Sequence, residues 1–164
     1  QPEIKVDPVT GRLCCYFDGQ SHLKFDPIHI GKTDFGIETI FRPTETKKEC
    51  GIFGSTGYRI ALRQNRHEDS ASFWINFPYS IKPIALKFNE IYTDKENYFA
   101  MTRVGDRFRV RLNNSVSEMV YDYDYWSYSL WLGAYYSHLY SFKGFIREFR
   151  LVQGELDINK RYPI

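Results

Sequence analysis

Apolar and polar residues alternate along this chain in short runs, and no run keeps a helical period for ten residues. Turn residues end each run. Residues 12–17 read as a strand stopped by Asp18-Gly19-Gln20, and residues 22–25 as a second, stopped before Pro27. Residues 35–41 alternate and end near Pro43. Residues 51–53, 58–64 and 70–77 follow, with Gly and Pro between them. The clearest hairpin has arms at 98–103 and 107–112 and a turn at Val104-Gly105-Asp106. In its second arm Phe108, Val110 and Leu112 share one face, and Arg107, Arg109 and Arg111 share the other. Residues 117–122, 131–135 and 143–152 complete a set of roughly a dozen short strands. The connections are too short for crossover helices, so the strands must pair antiparallel. The pattern predicts an all-β fold, an antiparallel β-sandwich, in one domain over residues 1–164.

Composition changes this picture little. The chain of 164 residues is 43% hydrophobic and 26% charged, ordinary for a soluble globular domain. Its aromatic content of 18% adds weight to β-structure. A net charge of +2 is too small to point to nucleic acid or an anionic membrane. No apolar run is long enough for a membrane-spanning helix, so no membrane insertion is expected. The chain begins at Gln1 rather than Met, as expected of a processed protein or part of a larger polypeptide. The three cysteines are Cys14, Cys15 and Cys50. Adjacent Cys14 and Cys15 point to opposite faces of a strand. Two outcomes stay open: plain thiols, or one disulfide from Cys50 to either of them. His22, His29, His67 and His138 lack ligand spacing, and no metal site is expected from motif.

Several segments, in order, resemble a known family. "CCYFDGQSHLKF" resembles the opening strand and turn of laminin-G-like jelly rolls in the concanavalin A-like lectin/glucanase superfamily, and "DFGIETIFRPT" their next long strand. "GIFGSTGYRIALRQ" and "NYFAMTRVGDRFRVRLNN" follow in the expected order. "LWLGAYYSHLYSFKGFIREFRLVQGEL" resembles their closing segment. The match covers most of residues 12–156. It implies two curved antiparallel sheets packed face to face, in a concanavalin A-like jelly roll. It also implies a module that binds glycans, proteins or cell surfaces, outside the cell or on a cell or virion surface. Calcium is the cation such jelly rolls often carry near the opening and closing strands. Their closing motif usually reads Ile-Asp-Glu; here it is Ile146-Arg147-Glu148, and an arginine is no cation ligand. No cofactor is therefore expected. Calcium would fall back on Asp18, whose simpler role is to form the turn, or on Asp122 and Asp124.

The superfamily also holds glycosidases, which need two carboxyl groups as nucleophile and acid/base. The glucanase branch sets them on one strand as Glu-x-Asp-x-Glu. Here Glu155, Asp157 and Asn159 stand in that spacing, and Asn cannot exchange the proton. "GSTG" at 54–57 is not a nucleophile elbow, which needs Gly-x-Ser-x-Gly between strand and helix. No catalytic residue is expected, and the chain is read as not an enzyme.

The densest candidate chemistry lies between residues 121 and 142. Trp131, Leu132 and Gly133 fall where the family has a buried strand. Phe142, Phe145 and Phe149 fall near or on the closing strand, and Phe145 and Phe149 are expected on one face, in the core. The preceding segment differs. A connecting loop does not need Tyr121, Tyr123, Tyr125, Trp126 and Tyr128 for packing alone, and Asp122 and Asp124 argue for a wet setting. Tyr and Trp supply contact area at low entropic cost. Sugars stack their C–H faces on such rings, while carboxylates accept their hydroxyl hydrogen bonds. His138 and Tyr140 form a second cluster in the next loop. The alternative is that these rings cap one end of the sandwich. Arg107, Arg109 and Arg111 form either a solvated face or a contact for an acidic glycan or partner. No recognition helix or aromatic sheet motif supports nucleic acid. Asn113-Asn114-Ser115 matches the N-glycosylation pattern, with a polar turn as the alternative. The expected function is non-catalytic recognition of a glycan. A protein-contact or structural module is the alternative, and a residual glycoside hydrolase the third.

Overall fold

The computed structural model describes residues 1–29, 33–55, 60–75, 84–121, 127–134 and 140–160; for residues 28, 29, 84, 127 and 128 it describes the backbone alone. Every strand pairing in it is antiparallel. One sheet has seven strands: β1 (Glu3–Val6), β2 (Leu13–Asp18), β15 (Lys143–Gln153), β5 (Phe35–Pro43), β10 (Asn97–Val104), β11 (Arg107–Leu112) and β12 (Ser115–Val120), in that spatial order. The facing sheet has six, in the order β3 (Leu23–Lys24), β14 (Leu130–Leu132), β6 (Cys50–Ser55), β7 (Ile60–Gln64), β8 (Ala71–Ile75) and β9 (Ile84–Phe88). A small ribbon pairs β13 (Ser127–Tyr128) with β4 (Ile28–His29). The all-β antiparallel sandwich read from the pattern is the fold.

Two-residue periodicity accounts for most of the core. Phe35, Ile37 and Phe41 of β5 face Phe53 of β6 and Phe73 and Ile75 of β8 across the sandwich, all buried. Phe99 sits between Phe53 and Phe73, at 5.5 Å from each ring. Burying each such ring is worth about 1.5–3 kcal/mol, so this row outweighs any single polar contact in the sandwich. Four strands escaped the pattern: β1, β4, β9 and β13. In β1 all four residues are exposed, so its alternation marks no buried face. β9 is short and lies at the sheet edge.

The closing strand corrects one expectation. A β-bulge at Arg147 shifts the register between Ile146 and Glu148. A bulge adds one residue and turns every later side chain to the other face. Ile146 and Phe149 therefore point into the core. Phe145 points outward, buried under Tyr16 at 5.0 Å and the Arg42 guanidinium at 4.9 Å. Phe145 and Phe149 do not share a face.

After β15 the chain turns at Gly154, which has φ of 93°, and crosses the outer face of the seven-stranded sheet. Leu156 and Ile158 pack there on Ile40, Tyr98 and Ala100. The Leu156 amide donates to Thr102 Oγ1 at 3.0 Å. Arg111 donates to the carbonyls of Ile158 and Asn159. Glu155, Asp157 and Asn159 thus belong to this strap and not to a strand, and Asp157 caps its own turn by accepting from the Asn159 amide.

Candidate functional site

The outer face of the six-stranded sheet carries the least ordinary side chains. Leu130 and Leu132 point inward, so Trp131 between them points out, half-buried. Phe73 and Ile75 likewise leave Trp74 pointing out. Register places both on one cross-strand row: Trp131 opposite Gly54, Gly54 opposite Ala61, Ala61 opposite Trp74, and Trp74 opposite Ala85. The two tryptophans are thus three strands apart, about 14 Å at the usual inter-strand spacing. Between them stand Gly54 and Ala61, small and both buried, so the row is covered between the indoles.

Each indole is held by a neighbouring cation. The Arg63 guanidinium lies 3.9 Å from the Trp74 ring centre, and Lys24 Nζ 5.3 Å from that of Trp131, which also meets the His22 ring at 4.8 Å. Such contacts fix ring orientation and are worth about 0.5–1 kcal/mol when exposed. The Nε1 groups of both tryptophans and Nδ1 of His22 are buried with no hydrogen-bond partner among the described residues. A buried donor without an acceptor costs about 1–3 kcal/mol.

Beside Trp74 the face sinks into a polar depression of about 310 Å³, lined by Glu49, Arg63, Asn65, Arg66, Glu68, Ser72 and Lys87. Its groups are wired together. Glu49 accepts from Arg63 at 3.0 Å, and Glu68 accepts from Lys87 at 2.6 Å and from Ser70 at 2.9 Å. Ser70 accepts from Asn65, and Asn65 from Ser72. The Lys87 and Ser70 bonds hold the Glu68 carboxyl below the usual carboxylate range. A glycosidase acid needs the opposite shift, upward, to keep its proton near neutrality. The arrangement offers hydrogen bonds and ring faces, and its two carboxylates are tied to cations.

The residues expected from sequence are distributed otherwise. Asp122, Tyr123, Asp124, Tyr125, Trp126 and His138 lie outside the described residues. So does the side chain of Tyr128, whose backbone pairs with Ile28 in the small ribbon. Tyr140 is half-buried just before Ser141, which bridges to Gly51. Arg107, Arg109 and Arg111 share the outer face of the other sheet. Arg107 and Arg109 converge on Glu118, and Arg111 is committed to the strap and to the Asn113 carbonyl at 2.6 Å. Trp131 stands outward rather than within a buried strand. Trp74, Arg63 and the depression were not singled out, although alternation in "IALRQ" and "ASFWI" puts Arg63 and Trp74 on the face opposite the apolar residues.

Three further readings meet their geometry. Asp18 Oδ1 accepts the amides of Gln20 at 2.9 Å and Ser21 at 2.7 Å, the turn role. Arg147 fills the closing motif with an ion-pair bridge, to Glu96 at 2.7 Å and Glu148 at 2.7 Å. Asn113, at φ 54°, accepts the Tyr98 amide and donates to Asn97 Oδ1 at 3.1 Å, so its amide is built into the hairpin. The three cysteines are free thiols; burial pushes Cys14 up to about 11 and Cys50 up to about 12.

No family model matches this sequence, and no curated protein matches it. Solved structures do. Domain 4 of AbnA, an extracellular arabinanase from Geobacillus stearothermophilus, in complex with arabinotriose, superposes with a TM-score of 0.71 at 16% identity, over 95% of this chain and 77% of that one. Tailspike protein 2 of the Escherichia coli bacteriophage CAB120 gives 0.70 at 8% identity, over 96% of this chain and 25% of that one. Domains LG4-5 of the mouse laminin α1 chain give 0.64 at 16% identity, over 93% and 46%. The chain thus spans less than half of the last two. At these identities the likeness establishes the fold, which is the concanavalin A-like jelly roll. The same fold serves binding modules and enzymes such as the alginate lyase A1-II' (TM-score 0.64, 9% identity, 93% of this chain), so fold alone does not decide on catalysis.

Proposed function

We propose that this chain is a non-catalytic glycan-binding module of the extracellular space or of a cell or virion surface. Its ligand lies on the outer face of the six-stranded sheet. The observation that carries this reading is that Trp131 and Trp74, both half-buried, point outward on one cross-strand row, and that Trp74 stands beside the polar depression. Arg63, Asn65 and Lys87 supply hydrogen-bond donors at one end. The arabinotriose-bound domain among the structural neighbours supports a saccharide ligand by fold analogy. Asp122, Tyr123, Asp124, Tyr125, Trp126 and Tyr128 remain candidate contributors to this reading, because in sequence they come shortly before β14, the strand that carries Trp131.

A glycan-array screen on the purified chain, followed by titration of the best binder, tests the proposal. Trp74→Ala and Trp131→Ala are each expected to weaken binding by about 1–3 kcal/mol, the range for an interface anchor. Lys87→Ala, which removes an exposed donor of the depression without touching either indole's strand neighbours in the core, is expected to weaken it too. Unchanged affinity in all three removes the site. Hydrolysis of the same glycans, measured alongside, is expected to stay at background, and turnover that is lost in Glu155→Gln would refute the non-catalytic reading. A protein partner is the second reading. It is favoured by the interleaving of exposed Val104, Val116 and Val120 with Arg107 and Arg109 on the opposite sheet.

A further inference from the structure

The most exposed large apolar side chains cluster at one edge of the seven-stranded sheet. Ile4 is 64% exposed, Val6 60% and Leu13 65%, and Val6 stands opposite Leu13 in the β1–β2 ladder. They lie on the core-facing side of the sheet, level with Cys15, where β1 projects beyond its cover. Val9, in the turn that follows, adds a fourth at 52%. The strand that carries two of them, β1, is the terminal strand of its sheet, so half of its main-chain groups have no ladder partner among the described residues.

We propose that two copies of this chain pair along β1, antiparallel about a two-fold axis at Ile4, and so join their seven-stranded sheets into one. Main-chain direction sets the first condition. Asp7 donates to the Arg12 carbonyl at 2.8 Å, so Asp7 faces β2. Alternation along the strand then turns Lys5 and Glu3 toward β2 and leaves the N–H and C=O of Ile4 and Val6 pointing outward. A second β1 centred on Ile4 exchanges both Ile4 bonds and gives the Val6 amide the Pro2 carbonyl of the other copy, roughly four bonds in all. Pro2 lacks an N–H but in this register still serves as acceptor.

Side chains set the second condition. In this register Glu3 stands opposite Lys5 of the other copy, twice, and Ile4 stands opposite Ile4. Opposite charges directly across a ladder stabilise it, and like charges do the reverse. Within one copy Lys5 pairs with Glu3 at 2.8 Å, but both are well exposed, so exchanging that partner costs little. The apolar row Ile4, Val6 and Leu13 of one copy meets its symmetry mate and leaves water. The opposite edge strand, β12, offers no such match: a two-fold axis at Glu118 sets that carboxylate against itself, and one at Ser117 sets it against Val116. The pairing is independent of the glycan reading, because β1 and the tryptophan row lie on different sheets.

Sedimentation equilibrium over a dilution series tests it. The wild-type chain is expected to dimerise at the upper end of the series. Glu3→Lys and Lys5→Glu, each made alone, set like charges opposite one another and are expected to sediment as monomers. Mixed together they are expected to form a heterodimer, and the chain carrying both exchanges is expected to dimerise again. All three variants alter exposed side chains, and an unchanged thermal melt verifies their fold. A wild-type chain that stays monomeric throughout overturns the proposal. So does a dimer that persists undiminished in both single variants, since the pairing would then lie elsewhere.

Discussion

Asp18 illustrates how much one side chain settles. In "FDGQS" a turn-forming aspartate is what the spacing of Asp and Gly suggests, and Asp18 does accept the Gln20 and Ser21 amides. The Gln20 amide, then the Ser21 amide and hydroxyl, favour the charged carboxylate and lower its pKa from 3.8 to about 2. A group whose folded pKa is depressed stabilises the fold above its unfolded value and loses that contribution as pH falls through the folded one. The window for Asp18 is therefore from 3.8 down to about 2. A carboxyl NMR titration is expected to place its midpoint near the lower figure, and Asp18→Asn should remove that part of the acid limb. A midpoint near 3.8 would mean that the two amide bonds are not kept in solution. Trp131 and Trp74 were legible in the same local way, because each sits between inward apolar neighbours. Family position alone suggested a buried Trp131, and the parity of Leu130 and Leu132 contradicts that.

At the scale of elements, local pattern identified the strands and failed where long-range contacts decide. The bulge at Arg147 has no marker in "GFIREF"; it is enforced by partners far away in sequence, Glu96 across the surface and Arg42 over Phe145. The strap is likewise invisible in "GELDINK", since apolar Leu156 and Ile158 at alternate positions could end a strand as readily as cover a sheet. What fixes it is Gly36. A Cβ there would overlap the Leu156 side chain, so the strap can lie down only because β5 has a glycine at this point. Leu156→Ala is expected to destabilise by about 2–5 kcal/mol, as for a buried leucine. Gly36→Ala should destabilise too, by lifting the strap. The overlap is with Leu156 Cβ, which alanine keeps, so it is Leu156→Gly that relieves it, and a Gly36→Ala, Leu156→Gly double variant is expected to melt above the sum of the two single losses. Strict additivity in thermal melts would mean that the strap does not rest on Gly36.

For the whole molecule, the informative fact is which residues lie on opposite sides. Arg107, Arg109 and Arg111 formed a candidate contact in the sequence, as did the aromatic segment that leads into β14. Strand parity says that Arg107 and Arg109 share a face, but nothing local says which sheet lies behind another, so their separation from Trp131 was not readable. In the structure the arginines stand on the outer face of the seven-stranded sheet and the tryptophan row on that of the six-stranded sheet. Two packed sheets are about 10 Å apart before their outer side chains are added, so one oligosaccharide cannot touch both faces. Each face can then be altered without the other. Arg107→Ala with Arg109→Ala is expected to leave glycan affinity unchanged, since these side chains spend their charge on Glu118. Trp131→Ala should lower it, and a chain carrying all three changes should match Trp131→Ala alone. Parallel titrations with the best array ligand, at two salt concentrations, check this. If the arginine pair lowers affinity and the loss grows at low salt, the ligand is acidic and sits on the seven-stranded sheet, and the tryptophan row then serves packing alone.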